Sequence, residues 1–421
     1  MLDLATAADR VIDALGPVGP EPIALGDALG RVLAADVHSP VTLPPWDNSA
    51  MDGYAVRALD VTGAAPASPV ALRVVETIAA GQRTARTLAA GEAMRIMTGA
   101  PVPAGADSVI RVEDTDAGTA MVSVVSARDA GRNIRPRGED IAAGALVAER
   151  GAIISPALLA FLASVGCARP AVARRPRVAL IGSGDELASI EQFDDVRAGR
   201  RIVATNAYVL GAIAREAGAE VIDLGVAPDD RAQLAAKMLE GAAHADLVVT
   251  TAGVSVGAHD HTRSIVAEHG RVDFWRINAR PGSQLAFGTI ASTPWLGLPG
   301  NPVSAAITGE LFVRAAVLRL QGVRDVHRAP IAVRLGTAVH GAKGTILLLR
   351  ARLTPYAGGF VAELTGPQGS GLMSSMAHAD ALLVIPAGAD ELVAGTTVAA
   401  IPLRGSVAMA GTLRVGATDE R

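Results

Sequence analysis

Five glycine- or proline-rich segments in the middle of the chain carry the residues best suited to chemistry. They are Gly182-Ser183-Gly184-Asp185-Glu186-Leu187, Pro228-Asp229-Asp230-Arg231, Thr250 to Asp260 (TTAGVSVGAHD), Arg280-Pro281-Gly282-Ser283 and Leu298-Pro299-Gly300-Asn301-Pro302. Glycine-rich turns that open helices expose backbone N–H groups, which can hold phosphate or another anion. Ser183, Ser255 and Ser283 add hydroxyl donors, and Arg280 adds positive charge. Glu186, Asp229 and Asp260 supply hard oxygen ligands of the kind Mg2+ takes alongside phosphate oxygens. Anion-binding backbone combined with acidic residues suggests metal-bridged phosphate chemistry. A lone glycine loop is usually only a turn, and Asp229 by itself reads more readily as the N-cap of the helix after it. Five such loops at the ends of successive elements outweigh the bland reading of each one alone.

Those elements alternate between strand and helix. Val178 to Ile181, Val221 to Val226 and Leu247 to Thr251 read as strands, with helices over Asn206 to Ala217, Arg231 to Gly241 and His261 to His269. Residues 285–288 and 295–298 are strand-like, and a last helix spans about Pro302 to Leu320. The alternation implies a mostly parallel sheet with helices on both faces, which binds ligands outside the carboxyl ends of its strands.

Before this region, the first 40 residues read as two helices, one through Leu4, Ala8, Val11 and Leu15 and one through Leu25, Leu29, Val32 and Leu33. Val70 to Ile78, Ala93 to Met97, Ser108 to Val112 and Met121 to Val125 are short β runs between turn residues. Ser155 to Gly166 reads as a helix, and RPAVARRPR (169–177) as a linker. From Ala329 the chain returns to β texture, a small barrel or sandwich. The expected architecture is a discontinuous helical and linker domain (1–45 and 141–170), an inserted β domain (46–140), a three-layer α/β domain (171–326) and a C-terminal β-barrel (327–421).

Composition excludes several classes. The chain has 421 residues, 50% hydrophobic and 19% charged, which suits folded domains rather than disorder. A net charge of −4 without a basic run, and only 3% aromatic residues, argue against nucleic-acid binding. The apolar stretch Ala152 to Ala168 is too short and broken to cross a membrane, and no secretory signal opens the chain. The single cysteine, Cys167, cannot make an intrachain disulfide and reads as a buried small residue. A soluble cytoplasmic protein is expected. His259 and His261 flank Asp260 but lack further zinc ligands at recognisable spacing, and Trp46 and Tyr54 read as packing residues.

The loops belong to a longer series of motifs. Asp47 to Val56 (DNSAMDGYAV), Arg95 to Pro103 (RIMTGAPVP), Arg137-Gly138-Glu139-Asp140, Gly184 to Leu187, Gly253 to Gly257 (GVSVG) and Gly297 to Ser304 (GLPGNPVS) resemble the molybdopterin molybdenumtransferases, the family that includes the C-terminal domain of gephyrin. The resemblance covers nearly the whole chain, with the motifs in the family's order. It implies a homodimer that inserts molybdate into adenylylated molybdopterin with release of AMP, in a Mg2+-dependent reaction of molybdenum cofactor biosynthesis. It also implies pathway enzymes and apo-molybdoenzymes as partners. The catalytic set it implies is Asp52, Thr98, Asp140, Glu186, Asp229 and Asp260, of which Glu186, Asp229 and Asp260 are the metal candidates. Ser183, Gly184, Asp185, Thr250, Gly253, Ser255, Gly257, Arg276, Arg280, Ser283, Pro299, Gly300 and Asn301 form the candidate cofactor-binding set. The site is expected to be shared between subunits.

Three departures from the family pattern stand out. The turn that usually reads Lys-Pro-Gly-Lys-Pro is Arg280-Pro281-Gly282-Ser283-Gln284, with Arg276 for an upstream lysine. Ala252 replaces a glycine, and Ala204 an acidic residue. These changes bear on molybdate binding rather than on the fold. The competing readings are a molybdopterin adenylyltransferase, which lacks the N-terminal region carrying Asp52, Thr98 and Asp140, and a divergent cofactor carrier or scaffold with weak or altered metal insertion.

Overall fold

Neighbouring residues on the short strands before Arg150 send their side chains to opposite faces, as a pleated sheet requires. Five strands pair in the order Ser108–Arg111, Gly53–Val56, Glu92–Ile96, Val70–Ile78 and Met121–Val124. One face gathers Tyr54, Val56, Leu72, Ala93, Ile110 and Val122, and the other Ala55, Ile78, Met94, Ile96 and Val109. Gly53 pairs with both Ile96 and Arg111, and a Cβ there would run into the Ile110 carbonyl. Only glycine allows that approach.

The structure is a computed structural model that describes residues 1–252, 261–356 and 358–403. The chain divides into two compact units, one of Asp36–Glu149 with Pro156–Ala168, the other of Met1–Ala35, Arg150–Ser155 and the chain from Arg169 onward. The first unit holds the five-stranded sheet and the helix Pro156–Ser164. In the second, the first predicted helix forms over Leu4–Asp13, with the Asp3 carboxylate accepting from the Thr6 N–H at 2.9 Å. The second does not form. Only a 3-10 turn, Leu25–Asp27, appears, and Gly30 at φ +73° turns the chain away from helical geometry. Val32 and Leu33 are buried through β-bridges to Ile153 and Val172, so their apolar spacing serves a different geometry.

The α/β core contains β1 (Arg177–Ser183), β2 (Glu220–Ala227), β3 (Leu247–Thr251), β4 (Gly270–Trp275), β5 (Ala286–Ile290) and β6 (Thr293–Leu298), ordered β2-β1-β3-β6-β5-β4. The first four are parallel, and β5 and β4 add antiparallel. Val178, Leu180, Leu247, Val249, Leu296 and Leu298 pack on one side with α1 (Thr205–Glu216) and the helical run from Pro302 to Leu320. Ile181, Val248 and Trp295 pack on the other with α2 (Arg231–His244) and α3 (His261–His269). Alternate residues of each strand therefore serve opposite faces, giving three layers. The run expected as one helix over 302–320 is α4 (Pro302–Thr308), a π turn (Gly309–Val313) and α5 (Arg314–Leu320). The interruption falls where Gly309 presses on Leu210 and Ile213 of α1.

The C-terminal strands Ile346–Tyr356, Gly359–Leu364, Ile331–Leu335, Thr397–Pro402 and Ala381–Ile385 close into a five-stranded barrel around Val333, Leu335, Ala351, Leu353 and Leu383. Among the described residues, no helix is long and apolar enough to cross a membrane.

Candidate functional site

The carboxyl ends of β1, β2, β3 and β6 bring together Ser183 to Glu186, Asp229, Thr251-Ala252 and Gly300-Asn301, and the acidic residues there divide the work. Asp230 caps α2, its carboxylate accepting from the Gln233 N–H at 2.8 Å. The N-cap is therefore Asp230 and not Asp229, so Asp229 is not consumed by capping. Asp185 accepts the Asp229 N–H at 3.1 Å, and the Gly184 N–H donates to the Ala227 carbonyl at 3.2 Å. These bonds tie the loop after β1 to the loop after β2. Gly184 has φ +143°, and a Cβ on it would fall 2.7 Å from Glu186 Oε1, so the Glu186 carboxylate folds over a position only glycine can occupy.

Two clefts open here. The larger, about 620 Å3, is lined by Ser183, Glu186, Ser189, Ile202, Ala204, Thr205, Asn206, Tyr208, Arg215, Asp223, Thr251, Ala252, Gly300 and Asn301, among others. The first turn of α1 faces it, and Ala204 at the N-cap makes no side-chain cap, so the helix presents N–H groups toward the cleft. Asn206 bridges loops by donating to the Gly300 carbonyl at 2.8 Å, while its Oδ1 is buried with no hydrogen-bond partner. Ala252 stands at φ +70°, a backbone that favours the family's usual glycine.

The smaller cleft, about 350 Å3, is lined by Arg280, Pro281, Gly282, Ser283, Pro299, Ser304, Leu347, Leu349, Gln368 and Ser370, and it shares Gln284 and Asn301 with the larger one. Ala279–Arg280 is a two-residue strand paired in parallel with Ile346 and Leu347 of the barrel. Gly282, at φ +111°, lies against Thr308 of α4, where a Cβ would come 2.8 Å from Cγ2. The Gln368–Ser370 wall is held by the fully buried Arg350. Its Nε donates to Ser375 Oγ at 2.6 Å and one terminal nitrogen to the Pro367 and Gly369 carbonyls at 3.1 Å, while its N–H donates to Gln368 Oε1 at 2.8 Å.

Of the predicted residues, Ser183, Glu186, Arg280, Ser283, Pro299, Gly300 and Asn301 line one or both clefts. Asp229 and Asp185 belong to the adjoining loops. Thr250 is buried, and its hydroxyl accepts the Trp295 indole N–H at 3.0 Å. Arg276 has φ +108° and is half-buried, with Nε lacking a hydrogen-bond partner. Gly253, Ser255, Gly257, His259 and Asp260 lie outside the described residues. Among the described residues no three His, Cys, Asp or Glu side chains converge as a metal cluster. Magnesium needs less from a protein when substrate phosphate completes its shell, and Glu186 and Asp229, both exposed oxygen donors, fit that mode. Gln368 and Ser370 were missed by sequence reasoning, although Gly366-Pro367-Gln368-Gly369-Ser370-Gly371 is itself a glycine-rich loop.

The β unit carries a second arrangement. Thr98, in the turn after the strand Glu92–Ile96, donates its N–H and hydroxyl to Asp52 Oδ1 at 2.7 and 2.8 Å. The Thr98 backbone bond, then its hydroxyl, hold the Asp52 carboxyl below the usual carboxylate range. Asp140 is exposed in a different turn, its N–H donating to the Leu43 carbonyl at 3.1 Å.

Comparison with known proteins identifies the lineage. Residues 2–166 match the MoeA N-terminal region (domain I and II), residues 179–319 a probable molybdopterin binding domain, and residues 332–403 the MoeA C-terminal region (domain IV). The chain is 40% identical over 384 residues to molybdopterin molybdenumtransferase 2 of Mycobacterium tuberculosis, covering 90% of this chain and 93% of that protein. The chain belongs to the molybdopterin molybdenumtransferase family. The Haemophilus influenzae member is 34% identical, covering 96% and 98% of the two chains. A molybdopterin biosynthesis MoeA protein from Pyrococcus horikoshii has the same architecture, with a TM-score of 0.83 at 26% identity over 96% of this chain and all of that one. Membership covers all three regions, including the β unit that an adenylyltransferase of a single α/β domain would lack.

Proposed function

We propose that this protein is a molybdopterin molybdenumtransferase, inserting molybdate into adenylylated molybdopterin with release of AMP. The observation that carries the reading is the pair of adjoining clefts: one rich in hydroxyl and amide donors around Arg280, the other combining Glu186 with the N–H groups of the first turn of α1. A tetrahedral oxyanion matches the first chemistry, and a phosphorylated pterin held beside a carboxylate matches the second. In this reading Arg280, Ser283 and Ser304 donate to molybdate, while Ser183 and the start of α1 bind phosphate. Glu186, Asp229 and Asp260 hold Mg2+, which when bound neutralises phosphate charge and favours loss of AMP. The Asp52 carboxylate, kept ionised by Thr98, is an acceptor ready to orient a cationic or hydroxyl group of the substrate complex.

The same reading makes the enzyme a cytoplasmic homodimer in which Asp52, Thr98 and Asp140 act with the α/β loops of the other subunit, serving apo-molybdoenzymes downstream. AMP release from adenylylated molybdopterin that depends on molybdate tests the activity, and a protein that binds the pterin without releasing AMP would overturn it. Mixing inactive Asp52→Ala and Asp260→Ala subunits tests the sharing. Partial recovery is expected in heterodimers, and heterodimers that form yet stay inactive would refute a shared site.

A further inference from the structure

The two clefts differ in charge, and one residue outside the family's usual pattern stands at their junction. The described lining of the smaller cleft carries one guanidinium, Arg280, and no carboxylate. The larger carries the carboxylates of Glu186 and Asp223 against one guanidinium, Arg215. By formal charge a small oxyanion is therefore favoured in the first over the second, where carboxylates outnumber the one cation. Gln284 and Asn301 line both. Gln284 is flanked by backbone held on either side: the Ser283 carbonyl accepts from the Ile277 N–H at 3.1 Å, and the Leu285 carbonyl from the Arg276 N–H at 2.8 Å. Leu285 is fully buried. Anchoring of this kind fixes the Gln284 Cα beside both clefts, so no loop ordering is needed at the moment of binding.

We propose that Gln284 is an oxyanion-binding residue, its side-chain amide N–H donating to the transferred oxyanion where the smaller cleft opens into the larger. The proposal rests on the transferase reading and deepens it. Ser283 has no ammonium to offer, and the amide next to it supplies a neutral donor in a cleft with a single formal charge. Such a donor attracts the oxyanion without the strong hold of a second cation, which suits a group that must move on toward the other cleft.

The test compares wild type with Gln284→Met, Gln284→Glu and Gln284→Lys, each checked for an unchanged fold by thermal melting. Half-saturating molybdate for AMP release is measured, together with equilibrium dialysis of molybdate alone. Loss of one hydrogen bond to a charged ligand corresponds to about tenfold weaker binding, so Met should raise the half-saturating concentration about that much. Glu should raise it further, and Lys should lower it below wild type. Met within twofold of wild type would overturn the proposal, as would Lys weakening binding as much as Met, since a merely structural glutamine predicts equal harm from both. If wild type released no AMP, the transferase reading would fail by itself, and the dialysis order of the four proteins would still decide the role of Gln284.

Discussion

Gly184→Ala separates the two things glycine does beside the larger cleft. At φ +143° a non-glycine residue carries backbone strain of about 1–3 kcal/mol. The new Cβ would also land 2.7 Å from Glu186 Oε1, and since that atom ends a flexible side chain, the carboxylate moves rather than the backbone. The strain lowers the thermal midpoint by roughly 2–4 °C per kcal/mol. Displacing a carboxylate by an ångström from its working position costs on the order of 100-fold in rate. The assay is AMP release for wild type, Gly184→Ala, Glu186→Ala and the double variant, with melting curves for each. If the alanine acts by moving Glu186, the double variant releases AMP no more slowly than Glu186→Ala alone. A Gly184→Ala protein with wild-type midpoint and rate would refute both parts of the reasoning. A double variant much slower than Glu186→Ala would refute the link to Glu186.

Three further outcomes follow from the same geometry. Ser283→Lys should lower half-saturating molybdate by about tenfold, since a charge-assisted contact is added beside Arg280, and the gain should shrink at high salt; an unchanged or higher value refutes it. Thr98→Val removes the hydroxyl bond but leaves the backbone bond to Asp52, so the Asp52 pKa should move part of the way up toward its ordinary value in a carboxyl-carbon NMR titration. Because that pKa is depressed in the folded state, any stability it confers is present above the unfolded value and lost as pH falls through the folded one. Asp246 accepts two bonds from Arg174, at 2.7 and 2.6 Å, and one from the Arg177 N–H at 2.8 Å. Burial alone would raise its pKa, but these donors outweigh it and lower it. Asp246→Asn should therefore cost about 2 kcal/mol near neutrality, with the deficit closing in acid below the ordinary aspartate value, as read by denaturant unfolding across pH.

Periodicity revealed the elements wherever one pattern admitted one geometry. Leu247–Thr251 is buried along its whole length, as a central parallel strand must be, and the apolar run Leu247-Val248-Val249 followed by two β-branched threonines announces that. His261–His269 likewise matches its helical spacing. Leu25 to Leu33 has the same spacing but only the 3-10 turn Leu25–Asp27 and no α-helix, because Gly26 and Gly30 weaken it and the bridges of Val32 and Leu33 bury the same side chains. The smaller cleft was only half legible. Arg280 and Ser283 drew attention by type, whereas Gln368 and Ser370 join them through the pairing of Ala279–Arg280 with Ile346–Leu347, a long-range contact that no local pattern encodes.

The acidic residues show the limit of residue type as a guide to role. Asp185, Glu186, Asp229 and Asp230 look interchangeable as oxygen ligands in the sequence. The backbone gives two of them structural tasks: Asp230 satisfies an orphan donor of α2, and Asp185 takes the Asp229 N–H. Those bonds fix both loops, and Glu186 alone of the four lines the larger cleft. A backbone N–H engages one oxygen of such a carboxylate and fixes its direction, while the other oxygen stays open among the described residues. Asparagine at 185 or 230 would keep most of that geometry, since an amide oxygen also accepts from an N–H. Glutamine at Glu186 would keep the shape and lose the charge. The chemical distinction among four similar side chains thus comes from which backbone N–H groups their loops leave in need of an acceptor.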